Sequence, residues 1–370
     1  MFEEFKKKEL MRIEREYKGY ESILSIKDLL GDNNSDPSWL FFIQMKLYGY
    51  LLKNDVNKTV SELGVKLRRA IHPVIEKEAP KHLMNPHVIE NRKFLLSDEV
   101  DATKVEKDDP VILPKEPVIW VINHGFKDDA LASVATIPRH TYLFFGSIPQ
   151  YYNSIYGLSA YLGGVVLNNR KVKASRKISI EKAVRVLECG ADILIAPEGL
   201  WNKTPELLML DFWPGVYKIA KKKGAKVVPL VHYLRDPFTR FNPIHTVMDD
   251  PINIADYSEE EALEILRNKM ASWYYLMMEK YGRITRRELL GDKTFAEAWK
   301  EYLERIISEV DFYDSEIECT YDYRPKTKVR IEDVFAAIAE ADVTLENVQH
   351  VSYAKNLVRE RKKTDYQRLY

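Results

Sequence analysis

Between residues 110 and 250 the chain alternates short, unbroken apolar runs with longer stretches of helical period; the runs fall at 118–122, 141–145, 164–167, 193–196 and 227–231. A run without polar alternation predicts a strand buried on both faces, and helix-length spacers between such runs predict an α/β fold, a mixed sheet covered by helices. Residues 1–90 read instead as helical, and in the stretch 36–52 and at the residue after it Ser38, Lys46, Gly49 and Lys53 share one side of a 3.6-residue period. The remaining face, with Trp39, Leu40, Phe41, Phe42, Leu47 and Leu51, is wide and apolar. Burial against a core is the first expectation for it, and a helix lying in a lipid interface the second. Beyond 255 the pattern returns to helix, at 258–281 with Glu259 to Glu261 in the first turn as the macrodipole favours, and again at 294–310. The linear division is therefore a helical region at 1–90, an α/β core at 91–255 and a helical region at 256–370.

Composition narrows the class. Lys+Arg and Asp+Glu balance at 56 each, which gives no global field for nucleic acid. Cys189 and Cys319 stand in no metal-ligand or disulfide spacing, which suits a reducing compartment. Charged residues at 3–8 occupy the place where an export signal needs an apolar stretch, and no run approaches the length of a spanning helix. The expectation is a cytoplasmic protein that meets a membrane, if at all, from its surface.

Two strand ends carry the chemistry. The run 118–122 ends in Asn123 and His124, with Asp129 following on the first turn of a predicted helix. A carboxylate there can hold the Nδ1 proton and leave Nε2 as a base. The run 193–196 ends in Pro197, Glu198 and Gly199. Ligands of open α/β sheets bind beyond the carboxyl ends of strands, so both ends are expected at one pocket. Asp128 competes for the orienting role or serves as a cap. A core histidine held by local hydrogen bonds is the default for any single histidine, His232 for example.

Asn123-His124 with Asp129, the run 164–170 ending in Arg170, residues 196–199 and residues 227–230 stand in the order and approximate spacing of four motifs. Over roughly 110–235 the chain resembles the glycerolipid acyltransferases, the family that includes lysophosphatidic acid acyltransferases. The resemblance implies an acyltransferase-like core in which His124 is the general base and Asp129 orients it. It implies that Arg170 grips the acceptor's anionic group and that Glu198 and Gly199 position the acceptor. The fourth motif, with Pro229 at a predicted strand edge or irregularity, would border the acyl pocket. This chain departs from the family after Gly199, where Leu200-Trp201-Asn202-Lys203 replaces the common Thr-Arg-Ser. Lys203 then stands in for a missing phosphate-binding arginine, and Trp201 either stacks on a headgroup or packs.

The implied reaction moves a fatty acyl group from a coenzyme A or acyl carrier protein thioester to a hydroxyl of a lysophospholipid or glycerol-phosphate-like acceptor. No acyl-enzyme, metal or further cofactor is implied, nucleic acid is not a partner, and the membrane surface is. The basic run 170–177 and the face around Trp39 are the expected docking elements. Two rivals compete with this reading. One is a metal-dependent hydrolase using His124, Asp128, Asp129 and Glu198, and the other is a lipid-binding protein on an inactive acyltransferase scaffold.

Overall fold

A computed structural model of the protein describes residues 39–90, 94–96, 111–126, 128–146, 155–168, 173–199, 201–202, 207–236 and 241–284, with isolated positions at 4 and between 288 and 359. The helical elements are α1 (Trp39–Leu51), α2 (Val56–Thr59), α3 (Glu62–Glu78), α4 (Asp129–Thr136), α5 (Ile155–Gly163), α6 (Lys173–Glu188), α7 (Gly215–Lys223) and α8 (Glu259–Tyr281). The strands are β1 (His87–Ile89), β2 (Phe94–Leu96), β3 (Val111–Leu113), β4 (Ile119–Ile122), β5 (Thr141–Gly146), β6 (Val165–Asn168), β7 (Asp192–Ile195), β8 (Val227–Tyr233) and β9 (Ile244–Met248). Each of the five apolar runs is a strand, β4 to β8, and the fold is α/β with strands of mixed direction and helices around them. By contacts the chain forms two units, 1–78 with 137–195 and 79–136 with 196–370, which cut across the linear division into 1–90, 91–255 and 256–370.

In the first unit β7, β5 and β6 lie side by side and parallel. Phe41, Phe42, Met45, Tyr48 and Leu51 of α1 pack with Val165 and Leu167 of β6 into one cluster. Burying side chains of this size contributes roughly 1.5–3 kcal/mol each. The lipid-facing reading of that face is thereby corrected: Phe41, Phe42 and Leu51 are core, and of the six residues only Trp39, 64% accessible, is exposed. A helix apolar almost all round needs a partner, and here β6 is that partner. The end of α1 is closed by Lys182 of α6, whose buried Nζ donates to the Leu51 and Lys53 carbonyls at 2.5 and 2.6 Å. Carbonyls at a helix C-terminus lack intrahelical donors, so the lysine supplies what the backbone cannot. Burial pushes its pKa down to about 8.

In the second unit the order is β1-β9-β8-β4, with β8 antiparallel to β9 and the other pairs parallel. All residues of β4 and β8 are buried, which is why neither alternates. The edge position expected for Pro229 is not what the structure shows, since β8 is flanked on both sides. In an antiparallel pair a residue's N and C=O face the same neighbour, and the Pro229 carbonyl accepts from the N–H of Asp249, one residue beyond the end of β9, at 3.0 Å. The missing donor therefore falls where that ladder stops.

Helix α8 packs on β8 and opens with a capping box between Ser258 and Glu261. Its far end is fixed by Glu90, which accepts from Lys280 Nζ at 2.9 Å and from the Tyr281 hydroxyl while pairing with His245 Nδ1 at 2.6 Å. The expected helix at 294–310 is only partly within the described residues; Thr294 and Glu297 there exchange reciprocal capping bonds.

Candidate active site

His124 lies two residues beyond the end of β4, and Asp129 is the first residue of α4, so the loop between them is short enough to fold the two side chains together. His124 Nδ1 is 2.8 Å from Asp129 Oδ2. The same oxygen accepts the backbone N–H groups of Gly125 at 3.0 Å and Phe126 at 3.4 Å. Asp129 is almost wholly buried, which pulls its carboxyl upward, but His124 and the Gly125 amide outweigh this and hold it below the usual carboxylate range. An ionised carboxylate only accepts, so Nδ1 carries the proton, and in the neutral ring Nε2 is the basic nitrogen. The His124 side chain is 26% accessible while Asp129 is 1% accessible, which exposes the base and hides its orienting group. Asp128, the competitor, turns elsewhere and accepts the Met84 N–H at 3.0 Å.

Glu198 follows β7 and is tucked inward by a turn in which Gly199 adopts φ 69°, a backbone state glycine takes without strain. Its Oε1 accepts the His124 backbone N–H at 2.9 Å and its Oε2 the Leu210 N–H at 2.7 Å. Burial pushes this carboxyl up to about 7, against the pull of the two amides. The next residues hold the other side of His124: the Asn202 N–H donates to the His124 carbonyl at 2.7 Å, and Trp201 sets its ring edge-to-face with the imidazole at 5.9 Å between centroids. Trp201 is 4% accessible, so it packs and does not stack on a headgroup. The Asn202 amide donates to the Leu207 and Leu208 carbonyls.

His124, Asp129, Glu198 and Gly199 are thus brought together in one unit. Arg170 and Lys203 lie outside the described residues. Asn123 of the first motif and three residues with no site role assigned from sequence, His232, Ser133 and Thr246, complete the site. The Asn123 amide donates to the His232 carbonyl at 2.9 Å and accepts the His232 N–H at 2.7 Å, extending the β4–β8 pairing by one side chain. His232 in turn meets Ser133 and Thr246 through its ring. The only local signal was Ser133, one helical turn after Asp129. Among the described residues no three His, Cys, Asp or Glu side chains gather as a metal site would need.

Residues 102–233 match the model of the family described as Acyltransferase. That segment, which holds all four motifs, belongs to the acyltransferase family. Within it the similarity points to the glycerolipid branch: a 1-acyl-sn-glycerol-3-phosphate acyltransferase of Chlamydomonas reinhardtii is 30% identical over 118 residues, 32% of this chain and 34% of that protein. The chain thus spans about a third of the length of the curated relative it matches. A crystal structure of the 1-acyl-sn-glycerophosphate (LPA) acyltransferase PlsC from Thermotoga maritima aligns over 66% of this chain and 95% of its own, at 18% identity and a TM-score of 0.41.

Proposed function

We propose that the protein transfers a fatty acyl group from a coenzyme A or acyl carrier protein thioester to a hydroxyl of a lysophospholipid or glycerol-phosphate-like acceptor. The observation that carries this reading is the partly exposed His124 imidazole held through Nδ1 by buried Asp129 at 2.8 Å. As the acceptor oxygen bonds to the thioester carbonyl, its proton passes to Nε2. The tetrahedral intermediate then collapses with cleavage of the C–S bond, and the departing thiolate takes the proton back. Asp129 fixes the tautomer and stabilises the imidazolium. No acyl-enzyme forms. Arg170 and Lys203 are assigned to the acceptor's anionic group through bidentate and point-charge contacts respectively. The supporting reason is their place in the second and third motifs. Glu198 serves the acceptor indirectly, since both its oxygens are engaged by backbone amides of the loops around the base.

The membrane surface is assigned to α3 in preference to α1. Leu63, Leu67, Ile71 and Val74 form an exposed stripe at helical spacing, with accessibilities of 68, 59, 36 and 62%, and exposed Lys66 and Lys77 lie beside it. Each lysine near an anionic surface contributes about 1 kcal/mol. No helix among the described residues is long and apolar enough to cross a membrane.

The test is mass spectrometry of products after incubation with acyl-CoA or acyl carrier protein thioester and a panel of lyso-lipids. An acylated acceptor that His124→Ala fails to make, with its circular dichroism unchanged, is the expected result. Turnover by folded His124→Ala near the parent rate overturns the mechanism, and thioester binding without turnover favours the inactive scaffold.

A further inference from the structure

Beneath the His124–Asp129 pair runs a chain of neutral hydrogen bonds, buried at Ser133, His232 and Thr246, that the reaction as written does not use. Ser133 Oγ donates to the Asp129 carbonyl at 2.7 Å and lies 2.7 Å from His232 Nε2. A hydroxyl has one proton, and the carbonyl can only accept it. Ser133 must therefore accept from His232, which places a proton on Nε2. His232 Nδ1 is 2.8 Å from Thr246 Oγ1, which lies 2.8 Å from His87 Nε2. If the His232 ring is neutral, Nδ1 accepts from the threonine hydroxyl, and the threonine oxygen in turn accepts from His87. Neutrality follows from position: His232 is fully buried, and burial pushes its pKa down to about 3. Every hydrogen in the chain then has one direction. It runs from His87 on β1 through Thr246 on β9, His232 on β8 and Ser133 on α4 to the main chain of Asp129.

His232 grips the pair from both sides. Its backbone N–H and C=O hold the Asn123 side chain, and Asn123 immediately precedes the base. Its ring, through Ser133, holds the residue that orients the base. We propose that His232 is a positioning residue of the transferase site, locked as the Nε2–H tautomer by Ser133 and Thr246 so that the loop from Asn123 to Asp129 keeps the base in register. The proposal rests on the reading of His124 as general base. A neutral imidazole suits the task because it donates through one ring nitrogen and accepts through the other. Phe126, edge-to-face with the ring at 6.3 Å, fills the remaining side.

The experiment has one arm without activity and one with it. In 15N-histidine-labelled protein, His232 should show the Nε2–H tautomer with no titration between pH 5 and 8, and a protonated or Nδ1–H ring overturns the relay. This arm needs no variant and stands even if Ser133→Ala does not fold. In folded Ser133→Ala the Nδ1–H resonance of His124, downfield because of Asp129, should move upfield; an unmoved resonance overturns the positioning role. In the activity arm Ser133→Ala should lower kcat about tenfold with KM unchanged, within the range that misplacement of a reacting group costs. Ser133→Thr, which keeps the hydroxyl, should restore most of it, and in a His124→Ala background Ser133→Ala should do nothing further. A kcat within twofold of the parent, or an equal fall in the His124→Ala background, overturns the proposal. A wild-type protein that acylates none of the panel defeats the transferase reading alone, and the resonances still decide the relay.

Discussion

Two buried regions of the molecule, one in each unit, are built on opposite principles. Around α1 and β6 the first unit holds a cluster of aromatic and aliphatic side chains, with Gln44 buried on the same helix and the buried cation Lys182 at that helix's end. Under His124 the second unit is polar: Asn123, Asp129, Ser133, Glu198, His232 and Thr246 are all buried, and each makes hydrogen bonds. Apolar burial is non-directional and scales with area, so the first interior contributes stability and tolerates small shifts. Hydrogen bonds fix distance and angle, so the second contributes geometry. A buried polar group left unpaired costs about 1–3 kcal/mol, which makes the second interior intolerant of single changes.

That contrast breaks first at Asp129. Asp129→Asn should lower kcat about 10²- to 10⁴-fold through the wrong imidazole tautomer, as seen in single-turnover assays. A rate within threefold of the parent would remove the geometric role of the second interior. Phe42→Ala should cost about 3–5 kcal/mol in urea unfolding and leave the turnover of the folded fraction unchanged. A loss below about 1 kcal/mol would show that the first interior is not what holds α1.

A subtler separation comes from Glu198. Its pKa is raised from 4.5 to about 7, so between those values the folded state holds a proton that the unfolded state has released. Its contribution is therefore complete at low pH and declines as pH rises through that window. Glu198→Gln should lack this decline when unfolding midpoints of the two proteins are compared from pH 4 to 8, and parallel profiles would refute the assignment. The smallest effect belongs to Trp39, exposed at the start of α1. Trp39→Ser should shift stability by no more than about 0.5 kcal/mol. A larger loss by thermal unfolding would mean that the whole face of α1 is core.

What could be read in the sequence follows the same division. The strands were legible because double-sided burial demands unbroken apolar runs, and 118–122 and 227–231 are β4 and β8 almost residue for residue. Helix α1 was legible as a helix, but not as core or surface. A segment apolar nearly all round has the same pattern in either place, and only β6 decides. His124 and Asp129 were legible because one short loop joins them. His232 was not, since its partners Ser133 and Asn123 lie 99 and 109 residues away along the chain. The inward turn of Glu198 was equally hidden. A carboxylate and a glycine after a strand suit a ligand site and a loop brace alike.

Lys182 has a chemical consequence of its own. An amine whose pKa has fallen to about 8 holds much more free base at neutral pH than an ordinary lysine, and free amines are acylated by thioesters. With Nζ engaged by the Leu51 and Lys53 carbonyls, that nitrogen is shielded from attack in the closed molecule. Acylation there requires the end of α1 to lift away. The rate at which an added amine-reactive reagent labels Lys182 would therefore report how often this corner opens.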